Sequence, residues 1–394
     1  MAVVTRIEVL TAHLPFRFSF GHALAARTSS TNVYVKLTLD DGTTGYGEGV
    51  PREYVTGETV EGAVEALGER YAPALLEREL TGPDAVPIVF DDAVESVPAR
   101  TDGVYDGAAR CALELALLDA CGKLYRRSVR AWLGPVKTPV VQYDAIIPFS
   151  GPRKLAVIAV LVRLAGLNQV KIKVGGDLDG DLRSLRMLRR VLGWKTDLRV
   201  DANCAWTADQ ALRAIERMRE YRISAVEQPI PVGDLEGLRR ITAATSELIV
   251  VDESLRSLEE AMALAEARAC DAFNIRVSKC GGLLASMRIA RVAQAAGLTC
   301  IVGAQVGESG ILSAAGRHLA ACIAPRYVEG SAGRLLLKED LTVENVLPGW
   351  KGRGRPYDGH GLGVHVKEGV LRHHGESRRV LEAERAQPIV TERA

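Results

Sequence analysis

Three acidic residues, Asp201, Glu227 and Asp252, recur about every twenty-six positions, each closing a short apolar run, and lysines bracket them: Lys171 and Lys173 before, Lys279 after. Carboxylates brought together away from water repel one another unless a cation neutralises them. An all-oxygen donor set at an open site suits Mg²⁺, with Mn²⁺ as the alternative ion. Such a site would take a small carboxylate substrate on the metal and hold its α-carbon between two lysines. Removing the α-proton then yields an enediolate whose charge the metal and the flanking cations stabilise. Lysine ordinarily ionises near ~10.4, so service as a base near neutral pH needs a shift of about three units, roughly 4 kcal/mol. A second lysine and a divalent ion both act in that direction, since each disfavours the protonated form.

Each residue also has a plainer reading. An isolated Asp or Glu after a strand is usually a helix N-cap, and Lys171 alone would pass for a surface lysine with a buried stem. Three acids in register on adjacent strands, flanked by lysines, reverse those odds. Glu253 follows Asp252, so alternation turns it away and gives it a supporting place. Asp177, Asp179 and Asp181 imitate the start of a calcium loop, but Leu182 and Leu188 stand where glycine and glutamate are needed. They are expected to cap a helix beginning near Asp181. His373 and His374 read as surface.

The positioning elements follow from the spacing. From Val140 onward, apolar runs end near Ile146, Lys173, Asp201, Glu227, Asp252, Lys279, Gly303 and Glu329, with helix-length segments between them. Intervals of 24 to 28 residues match one strand–helix unit, and eight of them close economically into a parallel barrel. An open doubly wound sheet would be expected to carry a glycine-rich phosphate turn after its first strand, and none is found. Barrel enzymes work at the C-terminal strand ends, where every candidate falls. Strand alternation puts Lys171 and Lys173 on one face, and strands two and six stand opposite, so Lys173 and Lys279 would face each other across the pocket.

Before the barrel, Arg6–Leu14, Thr31–Thr38 and Thr44–Gly47 alternate as strands around an Asp41-Gly42 turn, while Thr59–Leu76 and Ala108–Leu124 carry helical periodicity. Residues 1–130 therefore read as an α+β domain, 138–335 as the catalytic barrel and 336–394 as a C-terminal segment. A last strand is expected over Gly363–Leu371, followed by a polar tail.

A formal charge of +1 gives no footprint for nucleic acid or an anionic membrane. Seven scattered cysteines without paired spacing read as reduced thiols. With neither a signal-peptide pattern nor a run long enough to span a bilayer, the protein is expected to be soluble and cytoplasmic.

The motifs KIK (171–173), DAN (201–203), EQP (227–229), DES (252–254) and KCGG (279–282), with the GYGEG hairpin (45–49), make the chain resemble the enolase superfamily, specifically its muconate lactonizing enzyme subgroup. The resemblance implies a (β/α)7β TIM-type barrel with an α+β capping domain to which the C-terminal segment returns. It implies Mg²⁺ on Asp201, Glu227 and Asp252, an acid/base pair of Lys173 and Lys279, and Lys171 activating Lys173 and holding the substrate carboxylate. Asn203 would support the metal site, and it, Glu308 and Glu329 are further candidates for substrate contact. Members share the enolate step but go on to racemisation, epimerisation of dipeptides, cycloisomerisation or dehydration. Dipeptide epimerases show two aspartates separated by one residue where this chain has Glu329-Gly330-Ser331, which argues against that substrate. Two capping loops, about Phe16–Arg27 and Val50–Glu58, would set specificity, with His22 and Arg27 as candidate contacts. The expected activity is a racemase/epimerase or cycloisomerase, and homo-oligomers are expected by analogy. The competing readings are a metal-independent Schiff-base aldolase using Lys173 or Lys279 and a non-catalytic binding barrel.

Overall fold

The computed structural model describes residues 1–22 and 25–384, apart from the side chains of residues 20–26. His22 thus lies outside the described side chains. Strands β1 (Ala2–His22), β2 (Ala25–Leu39) and β3 (Thr44–Gly49) form an antiparallel sheet. Val33, Val35, Leu37 and Leu39 alternate into its core and are fully buried or nearly so. Against it lies helix α1 (Gly107–Leu124), whose residues are buried on almost every side.

The contact between β3 and α1 explains the GYGEG sequence. A Cβ on Gly45, Gly47 or Gly49 would stand 2.1, 1.9 and 2.0 Å from the carbonyl oxygens of Ala116, Ala112 and Ala108 respectively. Every second residue of the strand therefore meets every fourth residue of the helix, at backbone distance. These glycines supply space rather than unusual dihedrals. Gly47→Ala is expected to cost about 2–3 kcal/mol, because a helix backbone cannot yield as a side chain does. Its urea midpoint would fall accordingly, and a midpoint equal to wild type would refute the argument.

Eight parallel strands follow in chain order: β4 (Ala145–Ile147), β5 (Gln169–Lys173), β6 (Asp197–Asp201), β7 (Ile223–Glu227), β8 (Leu248–Val251), β9 (Ala272–Arg276), β10 (Thr299–Gly303) and β11 (Tyr327–Val328). Seven helices connect them: α2 (Pro152–Leu164), α3 (Leu178–Leu192), α4 (Ala208–Met218), α5 (Leu235–Ala244), α6 (Leu258–Glu266), α7 (Leu283–Ala295) and α8 (Gly310–Ile323). The curled sheet meets itself where Asp144 N–H donates to the Val328 carbonyl at 2.8 Å, completing the TIM-type barrel beside its α+β cap. Local caps start the helices promptly after the strand ends: Asp177 accepts from Gly180 N–H, and Thr207 and Gln210 form a reciprocal capping box.

Two capping-domain carboxylates lock the cap to the barrel. Glu48 is fully buried and accepts from Ser309 N–H (2.9 Å), Ser309 Oγ (2.7 Å) and Leu312 N–H (3.2 Å) at the start of α8. It also accepts from Asn32 Nδ2 (2.8 Å) and Tyr34 Oη (3.1 Å) within its own sheet. Glu114 of α1 likewise takes the Leu283 and Leu284 N–H groups of α7, which has no side-chain N-cap of its own. Negative charge at a helix N-terminus is favoured there by the orphan donors and the dipole.

The expected strand over Gly363–Leu371 is replaced by helix α9 (Glu368–His374), and strand β12 (Gly375–Glu382) follows it. β12 pairs antiparallel with β1, from Arg6 opposite Glu382 to Ala12 opposite Gly375. It is an edge strand with no buried residue, so it carries none of the apolar alternation by which strands are read. Among the described residues no helix is long and apolar enough to cross a membrane.

Candidate active site

Inside the barrel, Ala225, Val250, Ala272, Ile301 and Tyr327 form an apolar floor of their own. Two residues further along the same strands, alternation brings in a polar layer that includes Glu227, Asp252, Asn274 and Glu329. Lys171 and Arg199 join it, each 1% exposed. Lys171 Nζ lies 2.9 Å from Glu227, 2.7 Å from Glu329 and 3.3 Å from Asp201. Arg199 pairs with Asp144 and, at 3.2 Å, with Glu329, and its guanidinium rests 4.0 Å over the Tyr327 ring.

Above this layer stand the residues of the strand ends. Lys173 Nζ donates to Asp201 Oδ2 at 2.6 Å and to Asn203 Oδ1 at 2.7 Å. Asn203 adopts a left-handed φ of 43°, a conformation asparagine tolerates, and passes its Nδ2 to Glu253 Oε1 at 3.0 Å. On the other flank Lys279 Nζ donates to Asp252 Oδ1 (2.9 Å), to the Asp252 carbonyl and to the Asn274 carbonyl (3.1 Å). Arg276 holds the second oxygen of Asp252. Lys279 is not at a strand end, as its spacing suggested, but three residues beyond β9. There Cys280 N–H closes a turn on the Arg276 carbonyl, and Gly281 and Gly282 follow with φ of 87° and 116°.

A cavity of about 360 Å³ opens over these groups. Lys171, Lys173, Asn203, Glu253, Glu308 and Glu329 line it, whereas Asp201, Glu227, Asp252 and Lys279 lie buried just behind its wall. Glu308 accepts from the Gln305 N–H at 2.5 Å, and burial pushes its pKa up to about 8. Arg27 stacks 5.2 Å from the ring of Tyr54, itself a cavity residue, so its influence on the site is indirect.

The charges in this cluster determine one another. Burial opposes the Lys171 ammonium, yet Glu227, Glu329 and Asp201 more than offset it and raise its pKa. Burial would raise Asp201, but Lys173 and Lys171 hold it well below the usual carboxylate range. Glu227 goes the other way, pushed up by burial and by the charge of Asp201 despite Lys171. Among the described residues no three His, Cys, Asp or Glu side chains close on one point, because the three acids face ammonium and guanidinium groups instead. In donor type and strand register Asp201, Glu227 and Asp252 fit a hard divalent ion.

Several site residues escaped the sequence reading. Arg199 and Arg276 share the inward register of Asp201 and Asn274, so alternation could have found them. Asp144 precedes its strand, and nothing local marks it.

The chain matches the family described as mandelate racemase/muconate lactonizing enzyme, N-terminal domain, over residues 1–134. Residues 155–370 match the enolase C-terminal domain-like family. It belongs to the mandelate racemase/muconate lactonizing enzyme family. The hydrophobic dipeptide epimerase of Enterococcus faecalis is 30% identical over 318 residues, covering 81% of this chain and 87% of that one. The crystal structure of the N-succinyl Arg/Lys racemase from Bacillus cereus superposes with a TM-score of 0.87 at 27% identity, covering 96% and 100% of the two chains. That of the muconate lactonizing enzyme from Pseudomonas fluorescens, complexed with muconolactone, gives 0.86 at 26% identity, covering 95% and 100%. The chain is therefore an isomerase of the enolase superfamily, of racemase, epimerase or cycloisomerase type, abstracting a proton α to a carboxylate through an enediolate. Enzymes of this family use Mg²⁺.

Proposed function

We propose that this family member is a racemase or epimerase in which Lys173 and Lys279 serve the two faces of the substrate α-carbon. One observation carries the reading: the two ammonium groups grip opposite ends of the carboxylate cluster, Lys173 on Asp201 and Lys279 on Asp252. Asp201, Glu227 and Asp252 would hold Mg²⁺, which when bound supplies positive charge to a substrate carboxylate. Lys171, paired with Glu227 and Glu329, would keep both in place and face the same carboxylate. Lys279 must exchange its Asp252 contacts for the substrate, a rotation of its flexible side chain. A Schiff-base mechanism has no support in a chain of this family.

The test is exchange of the α-hydrogen in deuterated water with Mg²⁺ present, across N-acyl amino acids, dipeptides, betaines and muconates. Exchange into both enantiomers of one acid supports two bases. Conversion of muconate without exchange into any α-amino acid derivative would make the protein a cycloisomerase instead.

Ser331 argues for a substrate without a free ammonium. Its hydroxyl donates to the Val346 carbonyl at 2.7 Å and accepts from Arg317 Nη2 at 2.8 Å. Arg317 is 3% exposed, and its other partners, Tyr143 Oη, Tyr357 Oη and the carbonyls of Val346 and Arg355, are all uncharged. A carboxylate at 331 would meet that guanidinium before it met a ligand. Ser331→Asp is therefore expected to raise the rate of dipeptide epimerisation less than about threefold, measured by exchange on L-Ala-L-Glu. A larger gain would show that Arg317 does not capture the new acid.

Self-association belongs to the same proposal. Val157, Val160, Leu161 and Leu164 make an exposed apolar stripe along α2, which supports pairing of copies. Sedimentation as a monomer at micromolar concentration would remove it. A cytoplasmic location is consistent with seven unpaired cysteines.

A further inference from the structure

Gln305 lies two residues beyond β10, lines the cavity and is only 3% exposed. Its amide orientation follows from its neighbour. Arg276 Nη1 approaches one amide atom at 2.9 Å, and a guanidinium can only donate, so that atom is the oxygen. Nε2 therefore points away from Arg276, and among the described residues it has no hydrogen-bond partner. Neither end of the residue is free to turn and relieve this. Arg276 is held by Asp252, and the Gln305 backbone N–H is held by Glu308. A buried amide donor left without an acceptor is unfavourable unless a ligand supplies one.

We infer that Gln305 is a specificity-determining residue that donates an Nε2 proton to a carbonyl oxygen of the substrate, selecting acids that carry an acyl group. The inference rests on the reading of the barrel mouth as the active site. The surrounding groups agree with it. Val55, Ile146, Leu167 and Leu335 give the same cavity an apolar wall, suited to the carbon skeleton beside the carbonyl. Glu308, pushed up to about 8 by burial, holds its proton at neutral pH and does not repel an acceptor. Glu253 and Asp144 each keep one oxygen without a partner, so donors on the ligand have other places to go. The carbonyl has Gln305.

Two probes separate the acylamino group from the carbon skeleton, and the Gln305 variants then single out its carbonyl: N-acetyl-L-leucine, and 2-isobutylpentanoate, which has the same skeleton with propyl in place of acetamido. Isothermal titration of the full-length protein in Mg²⁺ buffer is expected to show about tenfold tighter binding of the acetyl compound. Gln305→Met, similar in length but without a donor, is expected to shrink that preference to threefold or less. Its affinity for 2-isobutylpentanoate should stay within twofold of wild type, which shows the cavity intact. Gln305→Glu, which would offer Arg276 two oxygens and the ligand none of the donors, should behave like the methionine variant. A wild type without the preference, or a Gln305→Met protein that keeps it, overturns the inference, as does failure of N-acetyl-L-leucine to bind. α-Hydrogen exchange separates the two levels. A Gln305-dependent preference with no exchange in any acid sinks the racemase reading and leaves Gln305 in place; exchange without the preference does the opposite.

Discussion

Lys279→Ala is expected to lower racemisation by about 10³–10⁴-fold, in the upper range for loss of a positioned general acid/base, while α-hydrogen exchange persists on one enantiomer only. The asymmetry is the informative part. Lys173 stays on Asp201 and Asn203 from the other flank, so the face it serves still loses its proton. Lys173→Ala should give the mirror result. Folding should survive, because Arg276 continues to neutralise Asp252 when the Lys279 ammonium is gone. Deuterium incorporation into each enantiomer, followed by NMR, checks all of this at once. Equal loss on both enantiomers would mean that Lys279 acts as a fixed cation and that a single base does the work, which is the cycloisomerase pattern.

Glu48→Ala has the largest expected effect on stability, about 3–5 kcal/mol, comparable to breaking a buried charged network by removing one partner. Five donors lose their acceptor together: the Ser309 and Leu312 N–H groups, Ser309 Oγ, Asn32 Nδ2 and Tyr34 Oη. Burial raises the Glu48 pKa, and the Ser309 and Leu312 donors pull against that rise. Glu48→Gln keeps one acceptor oxygen and should lose less than half as much. Because the residue ties the cap to the start of α8, the loss should also be visible as faster amide exchange in β3 and in the first turn of α8. A urea midpoint within error of wild type would show that the cap is held by apolar packing alone.

Much of the site is legible in the sequence, and for a simple reason. A parallel barrel converts a period of about twenty-six residues into angular position and the alternation of a strand into radial direction. Lys171, Lys173, Asp201, Glu227 and Asp252 could be placed on those two periodicities alone. The same logic reaches Arg199 and Arg276, whose charges looked unremarkable in sequence. It fails for Lys279, which was expected at a strand end. A diglycine turn displaces it from the ladder, and its ammonium arrives at Asp252 from a loop.

By itself the sequence determined the order of elements, the barrel and the acid–lysine set, because each is written in local spacing that one strand or helix enforces. Only the tertiary structure decided which ammonium sits on which carboxylate, that β12 closes the edge of the cap, that Glu48 and Glu114 cap helices of the other domain, and that Arg317 stands behind Ser331. Those contacts join residues up to several hundred positions apart, and no period relates them. They follow from which surfaces meet once the apolar faces are buried, and buried polar groups then take whatever partners that packing leaves within reach.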